Sequence, residues 1–196
     1  MRILYAAFVR LPTEKAHGAQ IMRTCEALAR TGTEVTLAVP GRETSVKDDA
    51  FPYYGAQRNF SIVPLVTADL VGFGRIGFLV SALLFSRRIA QHARAQKPSV
   101  IYSRDKTVLL ALRLLSNAPL AWEVHGLEPS WAVRFLKHAT FVAITEGVKE
   151  MLVSRGIPGE RVCVAHDGVD LTPFAHQESK DGARHRLGLP LDKKIA

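Results

Sequence analysis

Seven short apolar runs punctuate the chain, at Ile3 to Val9, Val35 to Val39, Ile62 to Val66, Val100 to Tyr102, Leu120 to Val124, Phe141 to Ile144 and Val162 to Ala165. Most are nearly continuous rather than alternating, which suits strands buried on both faces of a parallel sheet better than half-exposed hairpins. Between them the polar positions fall into helical spacing. Ile21, Met22, Cys25, Leu28 and Ala29 line one face of a helix that Gly32 is placed to end. Similar spacing predicts helices over Thr107 to Leu115, Glu146 to Arg155 (stopped by Gly156 and Pro158) and Ile76 to Ala95. Strand and helix alternating in this way predict right-handed βαβ units: an α/β, Rossmann-like, doubly wound and mostly parallel sheet.

In such a sheet the ligand crevice lies beyond the carboxyl ends of the strands. The turns there are Arg10 to Gln20, His125 to Pro129, Thr145 to Gly147 and His166 to Asp170, all polar or carrying His or Gly. In the first turn, Gly18 sits at the start of a helix whose free backbone N–H groups suit a diphosphate or carboxylate; a long loop with a helix-starting glycine is the plainer reading. His125 stands where a buried strand gives way to a turn, with the permissive Gly126 beside it, so its ring is aimed at the crevice mouth. In His166-Asp167-Gly168-Val169-Asp170, Gly168 is expected to supply a positive φ, and Asp167 and Asp170 to cap the next segment of chain.

Composition narrows the alternatives. The 196 residues are 47% hydrophobic, enough for one full core. The two cysteines, Cys25 and Cys163, both sit in apolar patterns and read as buried, reduced thiols. The opening MRILYAAFVR has too short an apolar run for a signal peptide and no cleavage site, which leads us to expect a cytoplasmic protein. A formal charge of +8 favours polyanions, but no zinc spacing, RNP-like run or helix-turn-helix pattern accompanies it, so nucleic acid is not an expected partner. Gly72-Phe73-Gly74-Arg75-Ile76-Gly77 spells GxGxxG, yet it follows the third strand, and no acidic residue occurs between Gly77 and Asp105 to hold a ribose. It reads as a flexible lead into the next helix. That helix is too short in its apolar part to span a bilayer; it packs in the core, the more ordinary case, or lies peripherally on an anionic inner membrane face. No HExxH, Asp-x-Asp, G-x-S-x-G or phosphate-loop motif is present, and no metal site is expected. The tail after Pro173 is polar and charged before turning apolar at its end, which predicts a domain over 1–174 and, over 175–196, a linker and the beginning of a second domain.

The opening PTEKAHGAQIMRTCEALARTGTEVTLAVP, the strand-end WEVHGLE, the segment VAITEGVKEMLVSRGIP and the late RVCVAHDGVDLTPF together resemble the N-terminal domain of the family 4 glycosyltransferases. The late motif departs from the family in having Asp167 where Asn is commoner before glycine. The resemblance implies the GT-B fold, with an acceptor-side N-terminal domain facing a donor-binding C-terminal one. It implies a retaining, metal-independent transfer from a UDP- or GDP-linked sugar to a hydroxyl acceptor, with no permanently bound cofactor. Gly18 would lie against the donor diphosphate, His125 would contact the transferred sugar as the catalytic residue, and Glu14, Lys15 and His17 would line the acceptor side. Thr145, Glu146, Asp167 and Gly168 would form the crevice wall. This half alone is expected to be inactive. A non-catalytic GT-B binding or membrane-docking module, and a GT-B sugar-nucleotide epimerase, are the alternatives.

Overall fold

A computed structural model of the chain describes residues 1–169, 171 and 178–195. It divides into two compact units, Met1–His166 and Asp167–Ala196. Asp170 and the predicted boundary at 174/175 lie outside the described residues.

In the first unit, strands β1 (Arg2–Ala6), β2 (Glu34–Pro40), β3 (Ser61–Leu65), β4 (Val100–Ser103), β5 (Leu120–Val124), β6 (Thr140–Ala143) and β7 (Val162–Val164) form one sheet. Its order is β3-β2-β1-β4-β5-β6-β7, and each neighbouring pair is parallel. The helices between them are α1 (Ala16–Arg30), α2 (Ala50–Tyr54), α3 (Gly74–Gln96), α4 (Lys106–Leu115), α5 (Ser130–Phe135) and α6 (Glu146–Ser154). Strand order reverses between β1 and β4, which opens a crevice at their carboxyl ends.

Alternation along the strands splits the interior in two. Leu4, Ala6, Phe8, Ile101, Trp122, Val124 and Phe141 face one core, shared with Ala82, Phe85 and Ile89 of α3 and with Leu109 and Leu112 of α4. Ile3, Tyr5, Ala7, Val35, Leu37 and Val39 face the other, under Ile21, Met22 and Cys25 of α1 and Phe51 of α2. Trp122 and Phe141 meet at 5.8 Å between ring centroids. Full burial of side chains of this size is worth about 1.5–3 kcal/mol each.

All seven predicted strands form, each within a few residues of the expected run. Cys163, expected to be buried, is exposed, because β7 closes the edge of the sheet and is covered on fewer sides. The Gly72–Gly77 string is built into packing rather than being a flexible lead. A 3-10 turn at Val71–Phe73 runs into α3, Gly74 has φ +72°, and a Cβ on Gly77 would stand 1.9 Å from the Leu70 carbonyl oxygen. The short helices α2 and α5 carry little periodicity and are not predicted from the sequence. In the second unit, α7 (Lys180–Leu187) is likewise unpredicted; Ser179 caps it, accepting from the Gly182 N–H at 3.1 Å, and Gly188 ends it with φ +64°.

Candidate active site

The first loop leaves β1 at Ala6, crosses the switch point and enters α1, and three ties hold its shape. The Tyr54 hydroxyl bridges the Thr13 backbone, accepting from its N–H and donating to its carbonyl oxygen, both at 2.7 Å. Thr44 donates to the Pro12 carbonyl at 2.6 Å, and Ser45 donates to Glu14 Oε1 at 2.9 Å. Glu14 is held below the usual carboxylate range, chiefly by its own backbone N–H and then by Ser45.

The same arrangement encloses Gly18. A Cβ there would meet the Tyr54 hydroxyl at 2.3 Å and the Thr13 methyl at 2.6 Å, and the Gly18 N–H already donates to the Lys15 carbonyl at 3.0 Å. The glycine makes room for the tyrosine that shapes the loop. The anion-attracting feature is the helix end itself: Lys15 is the N-cap, and no side chain caps α1. The first amides of a helix have no acceptor within it.

Beside that end, two residues that follow β4 face the switch point. Arg104 hydrogen-bonds Gln20 through Nη1. Asp105 is half-buried and accepts the Phe8 N–H at 2.7 Å, fixing the first residues after β1. Burial raises the Asp105 pKa, against the hydrogen bond and the Arg104 charge. His17 is half-buried and titrates below the ordinary histidine range, because burial and the cations Arg104 and Lys15 disfavour its charged form more than Asp105 favours it. Arg104 and Asp105 are not among the residues expected from the sequence. Their signal is position alone, the turn after the strand next to β1, legible only once the strand order is known.

At the end of β5, Leu120, Trp122 and Val124 point into one core, so Ala121, Glu123 and then His125 share the other face. Glu123 is 4% exposed. It accepts from the Tyr102 hydroxyl at 2.5 Å and pairs with His125 Nε2. Burial pushes its pKa up, but the hydrogen bonds from His125 and Tyr102 outweigh that and hold it below the usual range. The ionised carboxylate therefore fixes the orientation of the His125 ring. Burial, and then the field of that carboxylate, push the Tyr102 hydroxyl pKa far up, so Tyr102 remains a donor. Sequence reading singled out His125 but missed Glu123, hidden as the one acidic residue in an apolar strand, and Tyr102 on the neighbouring strand.

Of the remaining expected residues, Thr145 caps α6 by accepting from the Val148 N–H at 3.2 Å, and Glu146 is exposed in that helix's first turn. Asp167 and Gly168 belong to the second unit, and Gly168 does not have the expected positive φ. Gly126 does not have one either; the space beside it is open. A concavity of about 460 Å³ lies at the opposite end of the sheet, lined by Arg94, Lys97, Leu114 and Asn117 among others. It contains no carboxylate, histidine or cysteine.

The sequence matches glycosyltransferase family 4 over residues 18–173. No curated protein matches it by sequence. Among solved structures, sucrose-phosphate synthase from Thermosynechococcus elongatus superposes with a TM-score of 0.69 at 14% identity, covering 97% of this chain and 53% of that one. HepE of Anabaena in complex with UDP-glucose gives a TM-score of 0.62 at 14% identity, over 96% of this chain and 50% of that one. A UDP-N-acetylglucosamine 2-epimerase gives 0.58 at 12% identity, over 84% and 47%. The chain thus spans about half the length of these structures, and at such identities they establish the fold. With its all-parallel Rossmann-like sheet and a family match over most of its length, the chain belongs to glycosyltransferase family 4 and has the N-terminal fold of the GT-B enzymes.

Proposed function

We propose that this chain is the acceptor-side half of a nucleotide-sugar glycosyltransferase that moves a sugar from a UDP or GDP donor to a hydroxyl acceptor, with retention and without a metal ion. The observation that carries the reading is His125, held at the end of β5 by the buried Glu123, which Tyr102 holds in turn, in a family 4 domain whose switch point offers an uncapped helix end and Arg104. Departure of a nucleoside diphosphate from the anomeric carbon develops negative charge on the phosphate and positive charge on the sugar. Preorganised donors for the first, and an oriented polar group beside the second, are what such a transition state needs. The α1 amides and Arg104 suit the diphosphate; His125 suits the sugar, with Glu123 as its positioning residue. Glu14, Lys15 and His17 line the acceptor side in this reading, and Thr145 and Glu146 border the crevice. The protein works in the cytoplasm.

The test is nucleoside diphosphate release, across a panel of nucleotide sugars, by a protein carrying this chain together with a donor-binding half. Release that needs an acceptor and survives a chelator supports transfer without metal, and an α-linked product from an α-linked donor supports retention. Conversion of a UDP-sugar to its epimer without acceptor would support the one other reading favoured by an observation, the shared fold of the 2-epimerase.

A further inference from the structure

Helix α3 inverts the usual distribution of side chains. Its buried face is made largely of small residues, Gly77, Ser81, Ala82, Ser86, Ala90 and Ala93. Its exposed face carries Ile76, Leu79, Val80 and Leu83, the i, i+3, i+4, i+7 spacing of a helix stripe, with exposures of 78%, 55%, 39% and 53%. Phe73, 78% exposed, extends the stripe at its beginning, and the exposed Arg75, Arg87 and Arg88 border it. Four apolar side chains in register on a solvent face are not the scatter of single exposed residues common on protein surfaces. An apolar stripe bordered by arginines complements an anionic bilayer, with the apolar groups at the acyl boundary and the cations at the headgroups. Among the described residues no helix is long and apolar enough to cross a membrane, so the stripe would lie on the surface.

The stripe begins at the mouth of the site. Phe78 of α3 packs edge-on against Phe8, which follows β1, at 5.5 Å between centroids. The guanidinium of Arg42, in the loop after β2, lies over the same Phe8 ring at 4.3 Å. That side chain is only 8% exposed, and its Nε stands 3.2 Å from Asp69 Oδ1, yet neither Nε nor Nη2 makes a hydrogen bond. The distance qualifies as an ion pair and the angle does not qualify as a hydrogen bond, so Asp69 offsets the charge without satisfying the donors. Thr67 Oγ1, in the loop that carries Asp69, is buried and unpartnered as well. Arg10, exposed two residues beyond the Phe8 ring, lies in the first loop, which Thr44 ties to the loop of Arg42 through the Pro12 carbonyl at 2.6 Å. A buried guanidinium with unused donors beside a second arginine is costly unless an anion completes it.

We propose that Arg42 and Arg10 seat the phosphate of a membrane-embedded amphiphile, and that α3 lies on the bilayer presenting it, so that the acceptor of this transferase is a lipid-borne phosphate ester. The proposal rests on the transferase reading for the word acceptor, but its test reads binding alone. The chain is mixed with neutral phosphatidylcholine vesicles, and with vesicles doped to equal surface charge with phosphatidic acid or phosphatidylserine. Binding is expected in the order phosphatidic acid, phosphatidylserine, neutral lipid. Arg10→Gln and Arg42→Gln should each abolish the preference for phosphatidic acid, the first without disturbing a buried contact. Ile76→Ser with Leu79→Ser, at exposed positions, should weaken binding to both anionic vesicles by about tenfold or more, since both side chains would lose their burial among the acyl chains. Glycerol 3-phosphate in solution should compete only weakly, because it lacks the chains.

Equal binding to the two anionic lipids, unchanged in Arg10→Gln, would reduce the effect to net charge and overturn the proposal. So would full competition by glycerol 3-phosphate, which would make the seat one for a soluble phosphate. Self-association abolished by the Ile76 and Leu79 changes, with no vesicle binding, would assign the stripe to a second copy of the chain instead. None of these outcomes bears on nucleotide-sugar turnover, so the transferase reading stands or falls separately.

Discussion

At Glu123 burial and hydrogen bonding pull in opposite directions, and the hydrogen bonds win. A carboxylate titrating lower in the fold than in the unfolded chain contributes stability above the ordinary carboxylate range, and that contribution is lost as pH falls through its folded value. Glu123→Gln should therefore flatten the acid side of a melting-temperature profile while leaving its neutral region nearly level. It should also lower nucleoside diphosphate release by about tenfold or more, ~1.4 kcal/mol, through misorientation of His125. A merely structural glutamate would move the melting profile alone. His17 carries the opposite protonation. Its folded pKa lies below the unfolded one, so the unfolded chain takes up the proton first and stability falls as pH drops through the ordinary histidine range. In His17→Gln that loss between neutral and mildly acid pH should disappear from the denaturation midpoint. Gly18→Ala tests the packing of the first loop. With the Tyr54 hydroxyl 2.3 Å from the new Cβ, it should destabilise by about 1–3 kcal/mol. Combined with Tyr54→Ala, its further effect should shrink, as urea midpoints of the single and double variants will show.

The elements were legible in the sequence to the extent that burial imposed a pattern on them. β1, β2 and β5 are enclosed on both faces and read as apolar runs, and α1, with one face on the core, reads as a 3.6-residue period. α2 and α5 are too short to show a period, and the α7 segment, buried nowhere, offered only charge. The site was half legible. His125 could be found because it is a polar ring at a strand end. Glu123, Tyr102, Arg104 and Asp105 become a site only through pairing between strands distant in the chain, since Tyr102 lies opposite Ala121 in the register. Gly18 stands out in the sequence for its lack of a side chain, and the tyrosine beside it comes from α2, outside the local sequence. At α3 the period was visible while its direction was not, because small residues make up most of the face turned to the core, beside Phe85 and Ile89. Gly77→Ala should expose that arrangement: the added methyl collides with the Leu70 carbonyl, and a loss of about 1–3 kcal/mol in thermal or urea unfolding is expected, where alanine in an ordinary helix would be neutral or better.

For the whole molecule, seven parallel strands bring the first loop, Arg104, His125 and the start of α6 to one edge of the first unit, where the proposed diphosphate and sugar would be met together. The relatives of known structure are about twice as long, and in them this fold accounts for one half. The central claim is that His125, held by Glu123, acts in metal-independent transfer from a nucleotide sugar. Its most direct measurement is nucleoside diphosphate release by the protein joined to its donor-binding half, with chelator and a membrane extract as acceptor, for the wild type and His125→Ala. The account predicts extract-dependent release that persists with chelator and falls by at least about a hundredfold, ~2.7 kcal/mol, in the variant. Undiminished release from a folded His125→Ala protein, or release that stops when the chelator is added, would contradict it.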